Sequence, residues 1–246
     1  LPKTLKLSDP MTIEMTLTLN SYTGLDQHRM IWGIERRLAI KQHQNKLSWL
    51  MYHDSGTPPY VTAVFENPPL GKPIRIAAVS TGKKLFLFVE GKLIGTTEIT
   101  HPLSDFEGMS QFLCLWEKDS TFRPYDGTID EVRITKAALY DKDYVPQDRL
   151  DAKHPETLAL YHMDEGAGET LVDSSAKGNH ASLKDARWMN ADGTPSDPKA
   201  QRTNSDREVA EWILSKGGNA GIMPRGERIR NVKPGQKLPD GKLLLF

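Results

Sequence analysis

Apolar and polar residues alternate along much of this chain with a period of two, the pattern of strands that bury one face. Ile13, Met15, Leu17 and Leu19 fall on one side of the first such run, and Thr12, Glu14, Thr16 and Thr18 on the other. A loop, SYTGLDQHR, follows. Short strands are then predicted over 30–34, 38–44 and 46–52, with Asn45 marking a tight turn between the last two. The DSGTPP segment interrupts the pattern and 60–65 resumes it, before Pro68, Pro69 and Pro73 fence off a loop.

The clearest hairpin is KLFLFVEGKLIGTTEI. Leu85 to Val89 is continuously apolar, as a strand covered on both faces would be, and Glu90-Gly91 supplies the turn. A further apolar strand is predicted over 111–116. Another, over 127–134, sets Ile129, Val132 and Ile134 among Asp130, Glu131, Arg133 and Thr135 after an Asp126-Gly127 turn. Many short strands, turn residues between them and no long helical period predict an all-β antiparallel sandwich or barrel.

Two segments carry a family resemblance. DGTIDEVRITKAALYDKDY resembles the signature near the end of laminin-G-like jelly-roll domains of the concanavalin A-like lectin/glucanase superfamily. LALYHMDEGAGETLVDSSAKGNHASLKDARW resembles that family's other recurrent segment, an aromatic strand followed by Asp-Glu-Gly-x-Gly, Asp-Ser-Ser-x-x-Gly-Asn and a closing strand with Trp. Here the second follows the first, whereas many relatives have it first. The ends of such a sandwich lie close together, so a segment can change terminus and fill the same edge. The resemblance implies a two-sheet jelly roll over 1–189, closed by 158–189 in permuted order, within the kind of multi-domain protein found in planctomycete-type bacteria.

Beyond it, 190–204 reads as a linker. In 205–246, Ser205 and Glu208 form a capping box for a short helix stopped by Gly217-Gly218, and GIMPRGERIRNV and KLPDGKLLLF each supply a short strand. This tail resembles the lead-in to leucine-rich repeats, and it equally suits a cap on the sandwich.

Composition narrows the function classes. Lys+Arg and Asp+Glu are both 32, which gives no basic excess for nucleic acid or an anionic membrane. No apolar run approaches the ~20 residues of a membrane span, and no signal peptide is recognisable, although the chain begins with Leu1 as an excised piece would. The single cysteine, Cys114, excludes a disulfide framework and reads as a buried hydrophobe. The resemblance implies a fragment of a larger exported or cell-surface protein.

The superfamily includes glucanases, but its catalytic strand of the Glu-x-Asp-x-x-Glu type is missing. Glu14 stands alone among threonines, and Asp130 and Glu131 should point to opposite faces, so no enzyme is expected. The resemblance implies instead a lectin-like module that binds a glycan or a glycosylated or protein partner, with calcium at the sandwich rim. Asp173, Asn179 and Asp130 are the candidate calcium ligands, Gly178 allowing a tight loop. Asp173-Ser174-Ser175 also fits a plain Asx turn without metal. Tyr52, His53, Asp54 and Tyr125 are the candidate ligand-binding residues, an aromatic and polar set suited to sugars. Trp49 and Trp116, flanked by leucines, are expected in the core, and His162 in a packed, hydrogen-bonded position. Neither His162 nor His180 has zinc-ligand spacing.

Overall fold

A computed structural model of the chain describes residues 6–25, 27–34, 37–53, 58, 60–103, 112–113, 125–183, 186–190, 193–196, 214, 220–224, 230–233 and 243–245. Its strands are β1 (Met11–Leu19), β2 (His28–Ile34), β3 (Leu38–His43), β4 (Lys46–Tyr52), β5 (Tyr60–Glu66), β6 (Pro73–Ser80), β7 (Lys84–Val89) and β8 (Lys92–Glu98). They continue with β9 (Phe112–Leu113), β10 (Gly127–Thr135), β11 (Thr157–Tyr161), β12 (Thr170–Leu171) and β13 (Ala181–Ser182), then β14 (Ala220–Pro224), β15 (Arg230–Val232) and β16 (Leu243–Leu245). Nearly every element that the alternation predicts is present. Cys114 and Trp116 lie outside the described residues, as does the expected helix apart from Leu214.

Two compact units divide the chain, one of residues 1–164 and 171–181, the other of 165–170 and 182–246. The first unit is an antiparallel sandwich of a six-stranded sheet, ordered β11-β10-β1-β6-β7-β8, and a five-stranded one, β5-β4-β3-β2-β9. Between them lies the core: Met11, Ile13, Met15, Leu17 and Leu19 from β1, Ile76 and Ala78 from β6, and Leu47, Trp49 and Met51 from β4. Trp49 is fully buried and donates its indole N–H to the Val79 carbonyl of the opposite sheet at 3.2 Å, so the expected core tryptophan also ties the sheets together. After the IDEVRI strand, β11 adds an edge strand to the six-stranded sheet. β11 pairs with β10, Val132 opposite Tyr161 and Ile134 opposite Ala159.

The outer face of the six-stranded sheet is also buried. Phe86 and Phe88 of β7 cluster there with Ala77 and Val79, and Tyr140 and Tyr144 of the segment after β10 pack on them. The tyrosines stack at 3.6 Å between ring centroids. This is the second covered face that the unbroken apolar run 85–89 requires. Gly91, at φ +74°, lets the β7–β8 turn pass under this strap, since a Cβ there would lie 2.1 Å from the Tyr144 carbonyl oxygen.

Covering that face also buries polar side chains, and cross-strand pairing satisfies them. Glu14 lies opposite Arg133 and is not alone: the guanidinium bonds Glu14 Oε2 at 2.5 and 2.6 Å, and the Tyr140 hydroxyl donates to Oε1 at 2.8 Å. Arg133 also donates to Gln147 Oε1 and to the Asp151 carbonyl, which fastens the strap. Sequence separations above 100 residues hid this cluster. Thr12 completes the row, donating to the Ala137 carbonyl and accepting from the Leu139 N–H.

In the second unit, Trp188 is buried and donates its indole N–H to the Gly168 carbonyl. Met189 bridges Pro195, and β14 pairs with both β15 and β16, so GIM, RNV and the closing LLL join in one sheet. A separate two-stranded sheet pairs β12 with β13.

Arg133→Ala should leave the Glu14 carboxylate buried and uncompensated, at a cost of about 3–5 kcal/mol in urea unfolding. The double change Glu14→Gln, Arg133→Met should recover most of that loss. Equal destabilisation by the single and double variants would contradict the pairing.

Candidate binding site

Loop ends, not sheet faces, hold the polar residues that could meet a ligand. At one rim of the sandwich the chain leaves β1, makes the loop 20–27 and enters β2. The β3–β4 turn, the β5–β6 loop and the start of β10 lie beside that loop. Thr23 N–H bonds the Gln44 carbonyl, the Tyr22 hydroxyl donates to the Pro68 carbonyl, and Asn45 bonds Asn67 side chain to side chain.

At the centre of this rim is Asp126. Its carboxylate accepts from the Ser21 hydroxyl at 2.5 Å and from the Asn20 amide at 3.3 Å. The Arg29 guanidinium stands 3.9 Å away and donates to the Ser21 carbonyl and to Gln42 Oε1. Gln42, fully buried, donates back to the Ser21 carbonyl at 2.8 Å. A carboxylate, a guanidinium, two amides and a hydroxyl are thus fixed around one loop, with Tyr22 38% and Leu25 76% exposed on it. Such a set offers donors and acceptors in fixed directions beside an aromatic ring. Its legible sequence signal was the density of Asn, Ser, Tyr, Gln and Arg over 20–29 between two alternating strands.

Tyr125 borders this rim in a supporting role. Its hydroxyl donates to the Thr18 carbonyl at 2.6 Å and its ring lies against Gly127, where a Cβ would meet the Thr18 carbonyl at 1.9 Å. Tyr52 and His53 are at the other end of β4, roughly 20 Å along a seven-residue strand. Tyr52 packs edge-on against Tyr60, next to Met30, Ala39 and Leu50. His53 is buried, bridges Leu103 and stacks on His101 at 4.5 Å. Asp54 lies outside the described residues. Tyr52 and His53 therefore do not share a site with Tyr125, because β4 and β10 begin at the same rim and Tyr52 ends its strand.

The expected calcium ligands are also apart. Tyr161 pairs with Val132 of β10 on one side and bridges Asp173 on the other. β11 thus separates Asp173 from the β10 strand that carries Asp130, by two strand spacings or roughly 9–10 Å. Asp130 sits at a bulge in the β1–β10 pairing with its side chain largely exposed; the partial burial of its carboxyl, then Glu131 and Asp164, raises its pKa above the usual carboxylate value. Asp173 is only 6% exposed. Its Oδ1 accepts from the Leu160 and Ser175 N–H groups and its Oδ2 from the Ser175 hydroxyl and the Asn179 N–H. A carboxylate offers about four lone-pair positions, and donors take all four. Asn179 spends its side-chain N–H on the Leu158 carbonyl, and its own carbonyl accepts from Tyr161. These three residues as placed do not fit a shared calcium ion, and Asp173 serves as the Asx-type staple of the loop after β12. Among the described residues no group of three or more His, Cys, Asp or Glu side chains is arranged to hold a metal ion.

His162 is bonded to Glu131, Nδ1 to Oε1 at 2.7 Å, and the other Glu131 oxygen accepts from the Leu150 N–H. His180 Nδ1 accepts from the Asp173 N–H, another bond within the staple. No helix among the described residues is long and apolar enough to cross a membrane.

Architecture and rim together define a two-sheet antiparallel sandwich whose polar residues converge on loops. The chain belongs to the concanavalin A-like lectin/glucanases superfamily, whose laminin G type 3 family model matches residues 1–143. Among solved structures it is similar to a Bacteroides ovatus protein provisionally described as carbohydrate binding. That likeness has a TM-score of 0.54 at 14% identity and covers 75% of this chain and 56% of that one. It also resembles the binding domain of botulinum neurotoxin serotype G, at a TM-score of 0.44 and 14% identity over 55% of this chain and 35% of that one. A similar likeness, at 0.44 and 12% identity over 54% and 33%, is to the binding domain of botulinum neurotoxin DC in complex with SialylT. The chain thus spans little more than half the length of the Bacteroides ovatus protein. No curated protein matches it in sequence.

Burial raises the Asp173 pKa, but hydrogen bonds from Ser175, Leu160 and Asn179 outweigh it and hold the carboxyl below its ordinary value. A depressed carboxyl pKa adds stability that is present above the unfolded-state value and lost as pH falls through the folded-state value. Asp173→Asn, which turns an amide donor toward N–H groups, should cost about 2–3 kcal/mol at pH 7 in denaturant unfolding. The gap to wild type should narrow as pH falls below the ordinary Asp value of about 3.9. A constant gap across that range would count against the staple.

Proposed function

We propose that this chain is a non-catalytic, lectin-like module that recognises a carbohydrate through the rim built on Asp126, Arg29, Ser21 and Asn20, with Tyr22 beside them. The observation that carries this reading is the fixed polar set around Asp126, on a loop that also exposes the Tyr22 side chain. Sugars present closely spaced hydroxyls and an apolar ring face, the kinds of group that polar side chains and an exposed aromatic ring recognise. Membership of a superfamily of lectins and glucanases supports the reading, as does the provisional description of the Bacteroides ovatus protein.

Recognition over catalysis follows from how the carboxylates are used. Glycoside hydrolysis calls for two carboxyl groups flanking one bond in a cleft. Glu14 is committed to Arg133 and Tyr140 beneath the strap, and Glu131 to His162 and the Leu150 N–H. Asp126 faces Arg29 and Ser21 at the rim. The proposal includes no calcium, since hydrogen bonds order the Asp173 loop. As part of a larger exported bacterial protein, the module would hold that protein to a glycan-bearing surface. A second reading, a protein-interaction module, is favoured by one observation, the exposed Leu25 at the tip of the same loop.

A glycan array run with millimolar calcium and with EDTA should give the same hits in both arms. Tyr22→Ala and Asp126→Asn should each weaken a hit by about tenfold, or ~1.4 kcal/mol. An array without hits, together with capture of a protein partner lost on Leu25→Asp, would replace the carbohydrate reading with the second. Hits present only with calcium would overturn the metal-free reading, and hydrolysis of an arrayed polysaccharide the non-catalytic one.

A further inference from the structure

Asp173 and Asp126 each fasten a loop, but they differ in what they leave open. All four acceptor positions of Asp173 are taken, whereas Asp126 accepts two hydrogen bonds, from the Ser21 hydroxyl and the Asn20 amide. The Arg29 guanidinium, 3.9 Å from Oδ2, is too distant for a third. It spends its donors on the Ser21 carbonyl, the Ser21 hydroxyl and Gln42. The Asp126 side chain is 46% exposed and that of Arg29 only 13%. The rim thus turns a carboxylate outward and its counter-charge inward.

We propose, resting on the reading of this rim as the recognition surface, that it takes an uncharged sugar through two neighbouring hydroxyls that both donate to Asp126, and rejects sugars bearing a carboxylate or sulfate. An ionised aspartate only accepts, at about four lone-pair positions, two of them filled here. A pair of adjacent hydroxyls supplies the two donors that complete it, through charge-assisted bonds stronger than those between neutral groups. A carboxylate or sulfate brings acceptors and like charge against Asp126, the juxtaposition that suppresses a wrong partner.

The other charges of these loops leave that sign in place. Lys46 of the β3–β4 turn is paired with Glu66 at 2.9 Å. Arg75, in β6, is paired with Glu90 and Asp148, and Lys92, at the start of β8, with Asp143. Among the described residues of these loops, Lys72, exposed between β5 and β6, is the cation outside such pairs. Within loop 20–27 the one charged residue is Asp26, which lies outside the described residues and is an acid.

Neutral oligosaccharides and their uronic-acid and sulfated counterparts, compared on an array and by calorimetry, test this selectivity. Wild type should bind the neutral member of each pair about tenfold more tightly or better. Asp126→Asn, which keeps an acceptor oxygen and loses the charge, should bring the two members within about threefold. Salt at about 1 M, where the screening length falls to ~3 Å, should narrow the gap in wild type, an arm that does not require the variant to fold. Lys72→Gln should leave the preference unchanged. Acidic glycans bound as tightly as neutral ones and lost on Tyr22→Ala would overturn the choice of sugar and leave the rim reading standing. So would a neutral preference that neither Asp126→Asn nor salt reduces. A blank array, or hits that Tyr22→Ala leaves intact, would remove the rim reading and this inference with it.

Discussion

The arrangement depends on covering the six-stranded sheet on both faces. One face meets the second sheet in an apolar core, but the other meets a strap of chain without regular structure. There the sheet presents Phe86 and Phe88 beside Thr12, Glu14 and Arg133. Apolar burial alone could not close it, because each polar group removed from water needs a partner. Bonding Glu14 to Arg133 across the β1–β10 pair, with Tyr140 on the remaining oxygen, meets that requirement and fixes the strap. Register follows as well, since a one-residue slip would carry Glu14 into the core.

With both sheets so constrained, freedom is left to the loops. At the C-terminal end of β1 the rim gathers polar side chains: Asp126, Arg29, Ser21 and Gln42 hold one another, and Tyr22 and Leu25 are exposed. Such pre-ordering lowers the entropy lost when a ligand binds. Elsewhere the Asp173 loop is stapled by a carboxylate whose four acceptor positions are all used.

Alternation alone placed the strands: Ile13, Met15, Leu17 and Leu19 all face the core, and the unbroken run 85–89 is covered on both sides. The DGTIDEVRI segment, which pointed to the superfamily, lies within the residues that the family model matches, and β11 pairs with β10 at the edge of the sheet. These features are legible because a strand's period and a turn's residues are local properties of the backbone. The site was less legible. Tyr125 and Tyr52 both read as aromatic residues near strand ends, yet a sequence does not say at which rim an end emerges. Asp130 and Asp173 read as neighbours across the closure, yet β11 lies between them.

Local pattern, then, determined the all-β class, the core faces and the turns. Only the tertiary structure decided which side chains meet, as with Glu14 and Arg133, separated by 119 positions, or Ser21 and Asp126, separated by 105. The physical reason is that strand pairing is non-local. Periodicity tells which way a residue faces, whereas what it faces depends on sheet order and register, and those are settled by the packing of the whole sandwich.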